Sequence, residues 1–237
     1  MSDDDDLKFR HPFSCAVSGP SKSGKTSFCI RLLQKLAALS TEREFGGGII
    51  WCYSEKTAVP KRRLLPQNTT YHEGIPENFV GGGRPRLVIL DDLLNDVYSK
   101  QVCDMFTRGS HHRNIRLILI TQNLFHQGRY CRDISLNAYY VVALKNVRDK
   151  KLFMYLANQV YPEYNIGLYN AYLDATQRPH GYLILDLTQD TNDGLRFRTN
   201  IFPEEYHPVV YSDVGDEACE VELPRSSRDQ DSWPEIK

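Results

Sequence analysis

The octapeptide Gly19-Pro20-Ser21-Lys22-Ser23-Gly24-Lys25-Thr26 constrains this chain of 237 residues more than any other feature. It satisfies the pattern G-x-x-x-x-G-K-[S/T] without deviation. The pattern works in one local setting: a buried strand, a tight glycine turn, then a helix. Glycine permits backbone angles that a side chain forbids. The loop's N–H groups then point inward and cradle phosphate oxygens, and the start of the helix adds the positive end of its dipole. Residues 12–18 (PFSCAVS) are small and apolar, as a buried strand requires. In 25–39 (KTSFCIRLLQKLAAL), Phe28, Leu32, Leu33, Leu36 and Leu39 fall on one helical face. A glycine turn that binds nothing is the bland alternative, and these flanks weigh against it. The expected nucleoside triphosphate contacts therefore run from Gly19 to Ser27. Lys25 would reach the β- and γ-phosphates, and the Thr26 hydroxyl would ligate magnesium.

Two further apolar runs end in polar tips. LVILDD at 87–92 reads as a buried strand that delivers Asp91 and Asp92 beside the loop. Asp91 would hold the magnesium, directly or through water, and Asp92 would orient and activate an attacking water. A second acid there favours hydrolysis over transfer to a bound acceptor. Two acids after a strand also serve as a turn or a helix cap. ILITQN at 118–123 ends in Gln122, which could hydrogen-bond the γ-phosphate or the water, or simply finish a strand. Between these runs lies the basic TRGSHHRNIR at 107–116. Arg108, Arg113 and Arg116 are candidates for an arginine finger in a neighbouring subunit or for DNA phosphates, with a solvated helix end as the alternative. Asn146-Val147-Arg148-Asp149 has the N-x-x-D spacing of guanine readers but lacks their lysine, and Asp149 reads better as an early helical residue.

The remaining runs fill in the organisation. IIWCY at 49–53, IRLILIT at 115–121 and YYVVALK at 139–145 read as strands, 95–108 as a helix, and 148–174 as helical with a break at Pro162. GYLILDLT at 181–188 and LRFRTNIF at 195–202 read as a late antiparallel pair. Alternating strands and helices predict an α/β fold with a mainly parallel sheet covered on both faces, whose ligands bind beyond the carboxyl ends of the strands. The expected division is an acidic N-terminal segment at 1–11, an ATPase domain at 12–207, and a flexible acidic tail at 208–237.

Net charge is -1, but its distribution is uneven. Residues 1–6 hold four Asp and no base, and residues 204–237 hold ten acids against three bases. The body between them is left with 26 bases and 16 acids, a surplus suited to a polyanion. The six cysteines form no C-x-x-C pair, which argues against a zinc site and a disulfide framework. No apolar run reaches the roughly 20 residues that span a bilayer, and the acidic start is unlike a secretory signal. A soluble, intracellular protein without a membrane role is the expectation.

GPSKSGKT, LVILDD and FTRGSHHRNIRLILITQNLF together resemble the FtsK–HerA superfamily of DNA-pumping ATPases. Within it they look most like the poxvirus-type genome-packaging ATPases of large DNA viruses, virophages and virus-like Polinton (Maverick) transposons. The resemblance covers residues 12–145, and 106–125 is its most specific part. It implies a P-loop NTPase with a RecA-like sheet, ATP and magnesium, an oligomeric ring, double-stranded DNA as cargo, and capsid or portal-like proteins as partners in a host nucleus or cytoplasmic assembly site. It implies Lys25 and Thr26 as nucleotide and magnesium contacts, Asp91 and Asp92 as the acids, Gln122 as the sensor, and Arg108 before Arg113 as the finger. Two other classes stay open. A P-loop kinase could use Lys61-Arg62-Arg63 in a lid, and a nucleotide-gated interaction module would bind ATP and hydrolyse little.

Overall fold

Most strands of this chain are apolar at nearly every position, so neither face can meet water and the sheet must be covered on both sides. The computed structural model describes residues 7–41, 47–54, 59–76, 86–93, 99–109, 115–124, 130–205, 207–213 and 219–222. It contains a 10-stranded sheet. In chain order the strands are β1 Ser14–Ser18, β2 Ile49–Tyr53, β3 Thr69–Glu73, β4 Arg86–Asp91, β5 Ile115–Thr121, β6 Tyr140–Leu144, β7 Tyr182–Asp186, β8 Phe197–Thr199, β9 Val209–Asp213 and β10 Cys219–Glu222. Across the sheet they lie in the order β10-β9-β8-β7-β6-β1-β5-β4-β2-β3. Neighbours are parallel from β3 to β6. From β6 to β10 they are antiparallel. The α/β architecture and the late antiparallel edge are those the sequence pattern predicts.

Alternation along each strand divides the core into two layers. Cys15, Val17, Ile89, Ile118 and Val142 pack with Phe28, Cys29, Leu32 and Leu33 of α1 (Lys25–Gln34) and with Leu36 of α2 (Leu36–Leu39). Ala16, Val88, Leu90, Leu117 and Val141 face the other way. They pack beneath α3 (Lys100–Asp104), α4 (Cys131–Leu136), α5 (Lys150–Val160) and α6 (Asn165–Ala175). Each buried Leu, Ile or Phe contributes about 1.5–3 kcal/mol, so the two layers fix the sheet firmly. After β1 the chain turns to α1 on one face, and after β5 it turns to α4 on the other. Loops that part in this way leave a crevice over neighbouring strand tips.

One anticipated helix is present over its described part, and two segment boundaries need correction. The helix anticipated over 95–108 is α3, capped by the Ser99 hydroxyl accepting from Val102 N at 3.4 Å, and it continues as a single π turn over Met105–Gly109. Positions 95–98 lie outside the described residues. The N-terminal segment does not end at 11. Phe9 is 1% exposed, meets Phe13 and Tyr140 ring to ring, and its N–H donates to Leu39 O, because an aromatic ring of that size gains more inside than in an acidic arm. The boundary at 207/208 falls inside the sheet. Val210 and Tyr211 are buried, and β9 pairs with both β8 and β10. The surplus of acid in 204–222 also has a local use: Arg31 bridges Glu204 and Glu205 at 3.0 Å each. Residues 223–237 lie outside the described residues.

Candidate nucleotide-binding site

The octapeptide begins where β1 ends. Gly19 N donates to Thr121 O at 3.3 Å, which ties the loop to the tip of β5, and Ser23 N donates to Pro20 O at 3.2 Å, which closes the turn. Lys22 and Gly24 take positive φ of 65° and 105°. Gly19 is needed for a different reason: a Cβ there would stand 2.7 Å from Ser23 Oγ and 3.0 Å from Leu144 Cβ. The loop then enters α1 without a side-chain cap. Among the described residues, none accepts from the amides of Ser21, Lys22, Gly24, Lys25 or Thr26. The Ser23 hydroxyl is buried and has no partner among them. A buried hydroxyl without a partner is costly unless something outside the chain supplies one. A cluster of amides and a hydroxyl at a helix start suits phosphate oxygens.

Lys25 sits inside this loop. Its Nζ donates to Gly19 O at 2.7 Å and to Pro20 O at 3.0 Å. Burial lowers its pKa, and the charges of Asp92 and Asp91 push back in the other direction. The two acids therefore act on the loop's ammonium group, although β5 lies between their strand and β1. Between β1 and β4 runs β5, the strand that leads into Gln122.

Asp91 closes β4, is 7% exposed, and accepts from Trp51 Nε1 at 3.2 Å. Burial pushes its pKa up to about 6, against the opposing pull of the indole hydrogen bond and of Lys25. Asp92 turns out of the strand at φ 44°. Its N–H donates to Ile120 O at 3.3 Å, and its carbonyl accepts from Ser54 Oγ at 3.0 Å. That turn points the Asp92 carboxylate at the next tip, where Oδ2 accepts from Gln122 Nε2 at 3.1 Å. The site thus brings together the loop, Lys25, Asp91, Asp92 and Gln122. Thr26 is half-buried in the first turn of α1, and Ser27 beside it is exposed.

A magnesium ion suits these donors. Among the described residues no group of three or more His, Cys, Asp or Glu could hold a metal alone. Magnesium accepts that poverty: it binds through one or two protein oxygens and completes its shell with phosphate oxygens and water. Thr26 and Asp91 offer one hydroxyl and one carboxylate.

The basic segment fares less well. Arg108 lies in the π turn at the far end of α3, near the start of β5 and about 20 Å of strand from its tip. Arg113 lies outside the described residues. Arg116 is 0% exposed in β5, opposite Leu87, with its guanidinium 5.7 Å from the Phe13 ring centre. It is a core residue and leaves the candidates for finger or DNA contact. Asn146 and Asp149 also have local uses. Asn146 Oδ1 accepts from Arg148 N and Asp149 N at 3.1 and 3.0 Å, and Asp149 caps α5 by accepting from Leu152 N at 3.1 Å. Asp149 is thus a cap rather than a base reader.

Sequence reasoning missed two contacts. Trp51 showed only as an apolar strand residue. His180 carried no signal at all, because the contact of its Nδ1 with Ser23 O, 2.9 Å, joins positions 157 apart.

Fold and site together define the class: a P-loop NTPase fold with a RecA-like, mainly parallel sheet. No protein-family model matches the chain, and no curated protein does. Among solved structures it is similar to B204, the DNA-packaging ATPase from Sulfolobus turreted icosahedral virus, at 12% identity over 76% of this chain and 94% of that one, with a TM-score of 0.48. It is also similar to the genome packaging NTPase B204 from Sulfolobus turreted icosahedral virus 2 in complex with AMP, at 13% identity, 75% and 94% coverage and a TM-score of 0.46. The complex of that protein with ATP-gammaS gives 13% identity, 74% and 93% coverage and a TM-score of 0.46. At that identity and fit the likeness assigns no function, and the chain's own residues have to.

Proposed function

We propose that this chain hydrolyses ATP to drive double-stranded DNA into a viral or virus-like capsid, working as a ring of identical subunits. The observation that carries the hydrolytic part is the Asp92–Gln122 hydrogen bond across adjacent strand tips. A kinase needs an acceptor pocket at that place. Here a carboxylate and an amide are paired instead, a set that can orient a water and take its proton.

The roles follow from the geometry. The free amides of the loop hold the β- and γ-phosphate oxygens, and Lys25 leaves its two carbonyl partners for them. Gln122 orients a water, and Asp92 takes its proton as the water oxygen bonds to the γ-phosphorus and the bond to the β-phosphate oxygen breaks, releasing ADP. Thr26 and Asp91 would hold magnesium, which would supply positive charge to the γ-phosphate oxygens. Arg108 is proposed to act in a neighbouring subunit, since its place at the far end of α3 removes it from its own site. The DNA part rests on the motif resemblance and on the surplus of bases in the body, and the capsid partner on the resemblance alone. Among the described residues no helix is long and apolar enough to cross a membrane.

The test is ATP turnover with and without duplex DNA, in the parent chain and in Lys25→Ala. Turnover that duplex stimulates and that Lys25→Ala abolishes is expected. Equal turnover in the parent and in Lys25→Ala would remove the assigned site, and indifference to duplex would remove the DNA motor while leaving the ATPase.

A further inference from the structure

The mechanism above gives no role to the turn that joins α6 to β7, although this turn lies on the phosphate loop. His180 Nδ1 stands 2.9 Å from the carbonyl oxygen of Ser23. A carbonyl oxygen only accepts, so Nδ1 is the nitrogen that carries the proton. The same ring covers Gly24. A Cβ on Gly24 would stand 3.0 Å from His180 Nδ1 and 3.3 Å from His180 Cβ. Gly24 is therefore required twice, once for its φ of 105° and once for the approach of the imidazole.

The contact has a geometric consequence. Ser23 C=O and Gly24 N–H belong to one planar trans peptide, so they point in opposite directions. Fixing the carbonyl toward His180 aims the Gly24 amide the other way. That amide is one of the loop donors with no acceptor among the described residues.

The turn is built to hold the ring there. His180 is itself at φ 62°, in the left-handed region that few side chains enter and that histidine tolerates better than most. Gly181 has no room for a side chain, since a Cβ would stand 2.6 Å from Ala175 O. Lys145 Nζ donates to Gln177 O at 2.5 Å, and Arg178 Nη2 donates to Asn200 Oδ1 at 2.5 Å. These bonds anchor the turn to the tips of β6 and β8.

We propose that His180 is a positioning residue for phosphate binding: its Nδ1–H clamps the Ser23 carbonyl and so presents the Gly24 amide to the triphosphate. This rests on the nucleotide reading of the loop. In this role His180 touches no substrate.

Three substitutions separate the clamp from general structure. Asn places its amide N–H where histidine has Nδ1, and it tolerates positive φ. Gln carries its amide one bond further, at the place of Nε2. Gly removes the ring and relieves the backbone. Calorimetric binding of magnesium–ATP to the full chain is expected to weaken about five- to tenfold in His180→Gly and His180→Gln, the range expected for one oriented hydrogen bond. His180→Asn is expected to stay within about twofold of the parent. In turnover the loss is expected in KM rather than kcat, because the loop holds ground state and transition state alike. Equal affinity in all variants overturns the clamp, and so does failure of Asn to differ from Gln. Nitrogen NMR of the nucleotide-free protein supplies a second readout, with the proton expected on Nδ1. A parent chain that binds no nucleotide overturns both the clamp and the nucleotide reading. One that binds nucleotide with the proton on Nε2 overturns the clamp alone.

Discussion

The two halves of the sheet treat buried polar groups in opposite ways. In the antiparallel half they are paired with one another. Arg198 and Asp186 are 1% exposed each, and Arg198 Nη2 donates to Asp186 Oδ2 at 3.0 Å. The second oxygen of Asp186 accepts from the Thr188 hydroxyl at 2.7 Å, and Thr199 Oγ1 donates to Tyr182 O at 2.6 Å. At the carboxyl-end tips of the parallel half, beside the glycine loop, two buried polar groups are less completely paired. Ser23 Oγ is buried and unpartnered among the described residues, and Asp91 is desolvated until its pKa reaches about 6. Groups that hold a fold are satisfied inside it. The groups beside the loop are the ones that the proposed nucleotide and its metal would complete.

Substitutions can break this contrast. The largest effect belongs to Asp92→Asn, which keeps the shape and an acceptor for Gln122 but removes the proton acceptor. Turnover is expected to fall roughly a hundred- to ten-thousand-fold, with the melting temperature nearly unchanged. In the antiparallel half the pattern reverses. Arg198→Met leaves the Asp186 carboxylate buried and unpaired, so stability is expected to fall by about 3–5 kcal/mol in denaturant titration, while nucleotide affinity of the folded protein is retained.

Asp91→Asn sharpens the contrast further, because it is expected to stabilise. The folded protein binds the Asp91 proton more tightly than the unfolded chain, about 6 against 3.8. The parent therefore loses stability as pH rises from about 4 to about 6, and the variant does not. Above pH 6 the nucleotide-free variant is expected to be more stable by about 1–3 kcal/mol, with the difference vanishing near pH 4. Adding magnesium–ATP should reverse the ranking, since only the parent gains from the metal. Melting curves against pH, with and without nucleotide, check both signs.

Much of the parallel half was legible in the sequence, because an apolar run that stops abruptly at Asp91-Asp92 or Gln122 marks both a buried strand and its polar tip. The octapeptide was legible for the same local reason. Other features depend on contacts between distant residues, and no window of sequence holds those. β3, reading TTYHE, is an edge strand with only Thr69 fully buried, so its composition resembles a loop. β9 lies in a stretch whose acids mask Val210 and Tyr211. Arg116 misled by its neighbours: among Arg108, His111, His112 and Arg113 it reads as surface, yet its place in β5 puts it under Phe13. His180 reaches the loop only once β6 and β7 have paired.

The central claim is that the loop amides and Lys25 clasp a triphosphate while Asp91, Asp92 and Gln122 attend its far end. A structure of the chain with magnesium and a non-hydrolysable ATP analogue tests it most directly. Lys25 Nζ should have left Gly19 O and Pro20 O for phosphate oxygens, with the γ-phosphate facing the Asp92–Gln122 pair. An analogue bound elsewhere, with Lys25 still seated on its two carbonyls, would contradict it.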